Sequence, residues 1–309
     1  MSPLVSLIIP CRNHGEVLPG LLRSVASQSI AAEMEILIVD DCSDIPCTAA
    51  ARAFPDLNIR VIRPPERVYM KGARLLGMEA AQGEVIAFAD ADDLLWGTEA
   101  LEKNVRLLRE AKADIVHFPC VEVNADYLYL REHPSDRPLA PVLEGKAIFS
   151  ALVRQGIRGR TVWSRLYSRH LALKILEAAR PVRVRNGRED VMFNLLFFLH
   201  ARKYVTSPHT GYAWCAKRRN QVKSWRWASS SWYMLHDLVP YIEAHGTPAH
   251  ETALLRQDMR TRQREQMRLF CKDIIDEYPR LTNSTVEHLL ADADFESAAR
   301  IWMETPFHQ

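Results

Sequence analysis

The sequence predicts an α/β fold: a mostly parallel central sheet with helices on both faces, followed by a C-terminal helical region. Three observations carry this. In the first 120 residues, short apolar, β-branched runs alternate with stretches whose apolar residues recur at helical spacing. The runs are almost continuously apolar, as in strands buried on both faces of a parallel sheet, and not alternating as in a half-solvated one. From about Ser229 onward the pattern is helical and charged.

Taken in order, Val5 to Ile9 reads as a buried strand ended by Pro10, and Leu18, Leu21, Leu22 and Val25 form one face of a helix. Ile36 to Val39 is a second strand, halted by Asp40-Asp41, and Ile59 to Ile62 a third. Ala73, Leu76, Gly77 and Ala80 give a helical stripe of small residues suited to close packing on a sheet. Val85 to Ala89 is a fourth strand, ending in Asp90-Ala91-Asp92-Asp93. Thr98 is a candidate N-cap for a helix buried through Leu101, Val105 and Leu108, and Ile115 to Phe118 is a fifth strand. Beyond it the rhythm changes. Val121 to Leu130 reads as a pair of short strands, Pro134, Pro138 and Pro141 mark a loop, and Lys146 to Arg154, Ser164 to Ala179 and Asp190 to Ala201 read as helices. Near the C-terminus Leu254, Met259, Met267, Phe270, Ile274 and Ile275 offer apolar faces among many charges.

Composition narrows the function classes. The 309 residues are 48% hydrophobic and 25% charged, which excludes a disordered tail, a fibre or a low-complexity scaffold. A net charge of +2 leaves no overall footprint for nucleic acid. Locally, Arg154 to Arg188 holds ten basic residues against the single acid Glu177, and a second basic group spans Lys217 to Arg226. Such charge suits phosphate or an anionic membrane surface, or is plain solvated surface. The six cysteines form no C-x-x-C pair and read as buried free thiols of a reducing compartment. The N-terminus lacks a signal-peptide pattern, and the longest apolar run, Val191 to Leu199, is broken by Asn194 and far short of the roughly 20 residues a membrane span requires. The expected location is cytoplasmic, with peripheral association at the inner membrane face as an option.

Motif chemistry excludes more. There is no G-x-x-x-x-G-K-[ST], G-x-G-x-x-G, G-x-S-x-G or H-E-x-x-H, which disfavours a P-loop ATPase, a dinucleotide dehydrogenase, a serine hydrolase and a zincin. What stands out is the acid group Asp90 to Asp93 at a strand end, the edge where ligands bind in open α/β sheets. Two carboxylates one residue apart can share a hard divalent cation, Mn2+ or Mg2+, whose other ligands include substrate phosphates. The same acids could equally cap a turn.

The order and spacing of several fragments resemble family 2 glycosyltransferases of the GT-A fold. The resemblance spans roughly residues 3 to 225 and rests on Val5-Ser6-Leu7-Ile8-Ile9-Pro10 with Asn13, on Ile38-Val39-Asp40-Asp41-Cys42-Ser43-Asp44, on Gly72-Ala73-Arg74, on Glu84 to Asp93, on Trp163-Ser164-Arg165-Leu166-Tyr167 and on Arg188-Glu189-Asp190-Val191-Met192-Phe193. It implies a GT-A domain over 1–225, with a nucleotide-sugar-binding half (1–120) and an acceptor and catalytic half (121–225), and leaves 226–309 as a C-terminal helical extension. It implies Pro10 and Asn13 beside the nucleotide base, Asp41 accepting a hydrogen bond from the base (usually uracil), Arg74 near the nucleotide and Asp90 and Asp92 as the D-x-D pair. Of that pair Asp92 is the direct metal ligand, with Asp90 nearer the ribose or donor sugar. It further implies Asp190 as the base of an inverting reaction with Glu189 as its acidic neighbour, Trp163 at the acceptor, and a basic closing loop over Lys217 to Ser224. Leu75 departs from the Asn that relatives often place after the arginine.

The expected function is therefore an inverting, metal-dependent transferase. It would move a sugar from a nucleotide-diphosphate donor, expected to be UDP-linked, to a hydroxyl of a glycan or lipid-linked acceptor in cell-surface polysaccharide biosynthesis. A homodimer through the C-terminal helices is a further expectation. Two competing classes are a nucleotide-sugar pyrophosphorylase, which normally carries a glycine-rich first loop where this chain has Pro10-Cys11-Arg12-Asn13, and a catalytically silent nucleotide-sugar-binding scaffold, against which the intact Asp92 and Asp190 argue.

Overall fold

A computed structural model describes residues 2–133, 138–155, 161–184, 187–216, 230–231 and 233–277. The chain divides into two compact units, Met1–Pro181 with Glu189–Arg218, and Val182–Arg188 with Arg219–Gln309.

The first unit carries the strands β1 (Val5–Cys11), β2 (Met34–Asp40), β3 (Ile59–Ile62), β4 (Val85–Phe88), β5 (Leu94–Leu95), β6 (Ile115–His117), β7 (Cys120–Val123), β8 (Tyr129–Glu132), β9 (Val142–Glu144), β10 (Arg165–Ser168), β11 (Lys203–Thr206) and β12 (Tyr212–Cys215). Its helices are α1 (Leu18–Ala26), α2 (Thr48–Arg52), α3 (Tyr69–Ala80), α4 (Ala100–Ala111), α5 (Lys146–Arg154), α6 (Arg169–Ala179) and α7 (Glu189–His200). Among the described residues an eight-stranded sheet runs β3-β2-β1-β4-β10-β6-β11-β9, and a four-stranded sheet runs β5-β12-β7-β8. In the large sheet β10 is antiparallel to both neighbours and β9 to β11, while the rest run parallel, so the expected mostly parallel α/β architecture is present.

Both faces of that sheet are covered, because side chains alternate across a strand. Val5, Leu7 and Ile9 of β1 share one core with Leu18, Leu21, Leu22 and Val25 of α1 and with Leu101, Val105 and Leu108 of α4. Ile8 points the other way, against Gly77 of α3, and a Cβ on that glycine would overlap the Ile8 side chain. Gly77 therefore lets α3 lie close on the sheet. The buried face of α3 is Lys71, Ala73, Arg74, Leu75, Gly77 and Met78, so Leu76 and Ala80 of the expected stripe sit at its half-buried edge.

Four sequence expectations are corrected here. The first strand does not stop at Pro10 but runs to Cys11, with Pro10 in register with Val39. Ile8 accepts from Ala89 on the β4 side and Cys11 from Asp41 on the β2 side, so Pro10 faces the β4 side beyond that strand's end, where its missing N–H costs nothing. Ser164 to Ala179 is not one helix: Arg165–Ser168 is β10, wedged antiparallel between β4 and β6, and only then does Ser168 cap α6 by accepting from the Leu171 N–H. Strand pairing overrides a sequence that is equally compatible with helix. Helix α4 starts at Ala100 after Glu99, with no side-chain cap; the Thr98 carbonyl instead accepts from the Ser29 N–H. Finally, Leu254 is exposed while its neighbour Leu255 is buried with Met259.

The second unit holds a π-helical turn, Met234–Leu238, then α8 (Val239–Ala244) and α9 (Ala249–Glu277). The side chains of Met267, Phe270, Ile274 and Ile275 lie outside the described residues, as do Pro134 and the Lys217 to Ser224 loop. No described helix is long and apolar enough to cross a membrane. The basic stretch is not a continuous patch: Arg165 is buried against the Thr161 carbonyl, Arg180 pairs with Glu79, Arg183 pairs with Asp237, and Arg158, Arg160 and Arg185 lie outside the described residues. Cys11, Cys47, Cys120 and Cys215 are buried free thiols as expected, whereas Cys42 is a free thiol only half-buried, and the side chain of Cys271 lies outside the described residues.

Candidate active site

Parallel pairing of β1, β2 and β4 brings their carboxyl ends to one edge of the sheet. At the first two ends the chain turns through the non-glycine residues Asn13 (56°) and Cys42 (56°) with left-handed φ, and α3 opens on a third, Tyr69 (59°). Such backbone is costly and persists only where the surroundings hold it. Asn13 is held by its N–H on Ser43 Oγ (3.0 Å) and by a reciprocal pair with Asp44, Nδ2 to Oδ2 and the Asp44 N–H to Oδ1, both 2.9 Å. Asp41 is buried and accepts the N–H groups of Val68 (2.6 Å) and Tyr69 (3.1 Å), fixing the start of α3. Arg67 lies 3.9 Å from the same carboxylate and stacks over the Tyr69 ring. Asn13 and Asp41 thus sit on the adjoining loops that follow β1 and β2, just past Pro10.

Helix α7 reaches the same edge through aromatic packing. It is apolar all round, as a buried helix is, with Phe193 and Phe197 against Phe88 of β4 (6.5 and 6.4 Å between ring centres) and Phe197 stacked on Tyr167 of β10 (3.8 Å). Asn194, the polar break in the run, is satisfied by the Thr161 carbonyl and the Tyr167 hydroxyl. Glu189 and Asp190 occupy the first turn, where the helix dipole favours acids.

Arg74, 1% exposed, projects from α3 into these groups. Its Nη1 donates to Glu189 Oε1 (2.9 Å) and Asp190 Oδ1 (2.5 Å), and its Nη2 to Asp90 Oδ1 (3.2 Å). One guanidinium thereby joins the first acid of the D-x-D turn to the acid pair that lies 115 and 116 positions beyond Arg74 itself. Arg74 stands at the predicted edge, but its fork is taken up by carboxylates. Burial pushes the Asp190 carboxyl well above the ordinary range against the pull of Arg74, with the Glu189 and Asp90 charges adding to the rise. Burial raises Asp90 likewise, again against Arg74 and with help from Asp92. Burial disfavours the charged guanidinium, yet the three carboxylates outweigh it and hold the Arg74 proton more tightly than usual.

The cluster suits a divalent cation in its charge and donor chemistry. The Arg74 guanidinium hydrogen-bonds three carboxylates, and the buried Glu189 Oε2 has no hydrogen-bond partner among the described residues. Hard carboxylate oxygens at Asp90 and Asp92 are the right donors for Mn2+ or Mg2+. Among the described residues no group of three or more His, Cys, Asp or Glu is arranged to hold a metal. A cation here would take one or two carboxylates and complete its shell from donor phosphates and water.

Behind the turn lie residues to which the motif assigns no role of their own. Asp93 is buried, its Oδ2 accepting from the Tyr212 hydroxyl (2.8 Å) and its Oδ1 from the Cys215 N–H (2.8 Å). The Tyr212 hydroxyl also accepts from the Asp90 N–H (3.0 Å). Trp163 is buried and stacked flat on Tyr212 (4.5 Å, 11°), with the His133 ring against it edge to face, so Tyr212 already covers one of its faces. The only sequence signal for Asp93 was its place after D-x-D; nothing in the sequence joins it to Tyr212, 119 positions on.

Comparison with known proteins gives a consistent picture. The profile of the family described as Glycosyl transferase family 2 matches residues 6–171. The UDP-Glc:alpha-D-GlcNAc-diphosphoundecaprenol beta-1,3-glucosyltransferase WfgD of Escherichia coli is 30% identical over 105 residues, covering 34% of this chain and 41% of that protein. The chain spans less than half the length of most of the curated relatives it matches. Among solved structures, S. aureus TarS 1-349 in complex with UDP-GlcNAc shares the fold with a TM-score of 0.65 at 18% identity, covering 96% of this chain and 88% of that one. The mannosyltransferase PcManGT from Pyrobaculum calidifontis, in complex with GDP-Man and Mn2+, gives 0.54 at 16% identity, covering 98% and 83%.

Proposed function

The chain belongs to glycosyl transferase family 2, and on that premise we propose that it transfers a sugar from a UDP-linked donor to a hydroxyl of a glycan or lipid-linked acceptor with inversion, using Mn2+ or Mg2+. The observation that carries the reading is the Arg74 cluster, which sets a D-x-D acid and a basic carboxylate on one guanidinium at the ligand edge of the sheet. The UDP donor, the lipid-linked acceptor and the place in cell-surface polysaccharide synthesis are supported by what WfgD is named for and by the UDP-GlcNAc complex of TarS; Mn2+ is supported by the PcManGT complex.

In this reading Asp190 takes the proton of the acceptor hydroxyl as that oxygen attacks the anomeric carbon from the face opposite the leaving nucleoside diphosphate. A carboxyl raised by burial is the more basic acceptor for that proton, while Arg74 favours its ionised form. Glu189, on the same guanidinium atom, holds Arg74 in place. Asp92, with Asp90, would hold the cation, which when bound offsets the charge developing on the diphosphate. Asp41 is fixed by two backbone N–H groups and keeps lone pairs to read the imide N–H of uracil, with Pro10 and Asn13 shaping the base pocket. Trp163 is assigned to the acceptor side, and its ring also backs Tyr212. Residues 1–120 then form the donor half and 121–225 the acceptor half, with 226–309 as a helical extension available for a homodimer or for peripheral contact with the inner membrane face.

The experiment is a thermal-shift titration with UDP, UDP-sugars and GDP-sugars, with and without Mn2+. A UDP-sugar with Mn2+ raises the unfolding midpoint most. Stabilisation by GDP-sugars alone would overturn the donor assignment, and stabilisation by no nucleotide would overturn the reading itself.

A further inference from the structure

The D-x-D turn is gripped from behind by the second sheet. The Asp93 N–H bonds back to the Asp90 carbonyl (3.1 Å), closing a tight turn with Ala91 and Asp92 at its tip. Directly after it, β5 pairs with β12, setting Leu95 opposite Tyr212 and Leu94 opposite Ala213. From β12 the Tyr212 hydroxyl reaches both ends of the turn. An N–H can only donate, so the hydroxyl oxygen accepts from the Asp90 N–H, and its single proton goes to Asp93 Oδ2. The other Asp93 oxygen takes the Cys215 N–H from the same strand. The Tyr212 ring is fully buried and lies flat on Trp163, which stops the hydroxyl from swinging away.

We propose that Tyr212 and Asp93 are positioning residues that fix the Asp90–Asp92 turn for cation binding, although neither would touch the cation. The proposal rests on the reading of that turn as the cation site. The physical reason is preorganisation. With both ends of the turn tied to β12, the Asp92 carboxylate is presented in one arrangement, and no ordering cost falls on cation binding. Without the hydroxyl, the Asp90 N–H and one Asp93 oxygen are left buried and unpaired, and the turn relaxes toward water to satisfy them. Outer-shell partners of metal ligands typically contribute about 10–100-fold in metal affinity.

The test is Tyr212→Phe, which keeps the ring and its stack on Trp163. Mn2+ binding is followed by the EPR signal of free Mn2+ in the presence of UDP, and the unfolding midpoint is recorded without metal. The expected result is Mn2+ affinity weaker by about 10–100-fold, measured well below the unfolding midpoint of either protein. Asp93→Asn, which keeps the shape but replaces an acceptor oxygen by a donor facing the hydroxyl, weakens Mn2+ binding in the same direction and serves if Tyr212→Phe does not fold. Mn2+ affinity equal to wild type in the folded variant, whatever its thermal midpoint, makes the role purely structural and overturns the proposal. Wild-type protein that binds UDP indifferently to Mn2+ removes the cation site and this proposal with it, whereas wild-type dependence retained unchanged in Tyr212→Phe removes the positioning role alone.

Discussion

Replacing Arg74 by Met removes the one positive charge shared by Asp90, Glu189 and Asp190 while keeping most of the aliphatic volume. All three carboxylates lie mostly out of solvent, with side-chain exposures of 29%, 8% and 20%. Breaking a buried pair by deleting one partner typically costs about 3–5 kcal/mol, because an uncompensated charge remains. Here Asp90 and Asp190 keep some contact with water and are already inclined to take up a proton, which places the cost toward the lower end, at about 3 kcal/mol. For a unit of this size roughly 2–4 °C of midpoint is lost per kcal/mol, so the variant should unfold about 6–12 °C lower. Circular dichroism melts at neutral pH without nucleotide measure this directly. The same melts on Glu189→Gln and on the double variant complete a thermodynamic cycle. Because Glu189 is then no longer a stranded charge, the double variant should lose less than the sum of the singles, by about 1 kcal/mol or more. A fall of under about 2 °C for Arg74→Met, or strict additivity in the cycle, would show that the guanidinium does not hold this cluster together.

Further outcomes follow from the same geometry. Asp190→Asn should lower kcat by about 10²–10⁴-fold in a transfer assay while leaving UDP binding by calorimetry unchanged; turnover near wild type would take Asp190 out of the base role. Asp40 is fully buried. Burial pushes its carboxyl up, but the Ser43 and Cys47 N–H groups and Arg63 win and hold it below the ordinary range. A lowered folded value means stability that is complete above the unfolded value of about 3.9 and is lost as pH falls through the folded one, so Asp40→Asn should cost about 1–3 kcal/mol at pH 7 and flatten the acid limb of a urea-midpoint profile below about pH 4. Gly77→Ala gains helix propensity of about 1 kcal/mol but drives a methyl into Ile8, so it should destabilise by about 1–2 kcal/mol net, and Ile8→Ala in the same chain should lose less than the two singles predict.

Much of the fold could be read from residue order because its signals are local. Ile59–Ile62 and Lys146–Arg154 are bounded as their patterns predict, and the apolar face of α1 is buried residue for residue. Where local signals were ambiguous, pairing decided. Arg165–Ser168 satisfies helical spacing, yet it lies antiparallel between β4 and β6 because two strands already offer it unpaired edges. The small sheet was half invisible for a similar reason: Leu94–Leu95 and Tyr212–Cys215 are too short to announce strands until they find each other across more than a hundred residues.

The candidate site divides in the same way. Sequence alone determined which residue types stand at the ends of buried strands: Pro10 and Asn13, Asp41, then Asp90 and Asp92, with Glu189 and Asp190 opening a helix, because an apolar run that ends in acids is a local pattern. How these groups are wired follows from the folded arrangement and from nothing local. Arg74 faces carboxylates instead of lying free for a phosphate, Asp41 spends two bonds on the start of α3, Trp163 backs Tyr212, and Asp93 is tied to β12. Those choices depend on distances between segments far apart in the chain, which burial and hydrogen-bond satisfaction settle only once the sheets have formed.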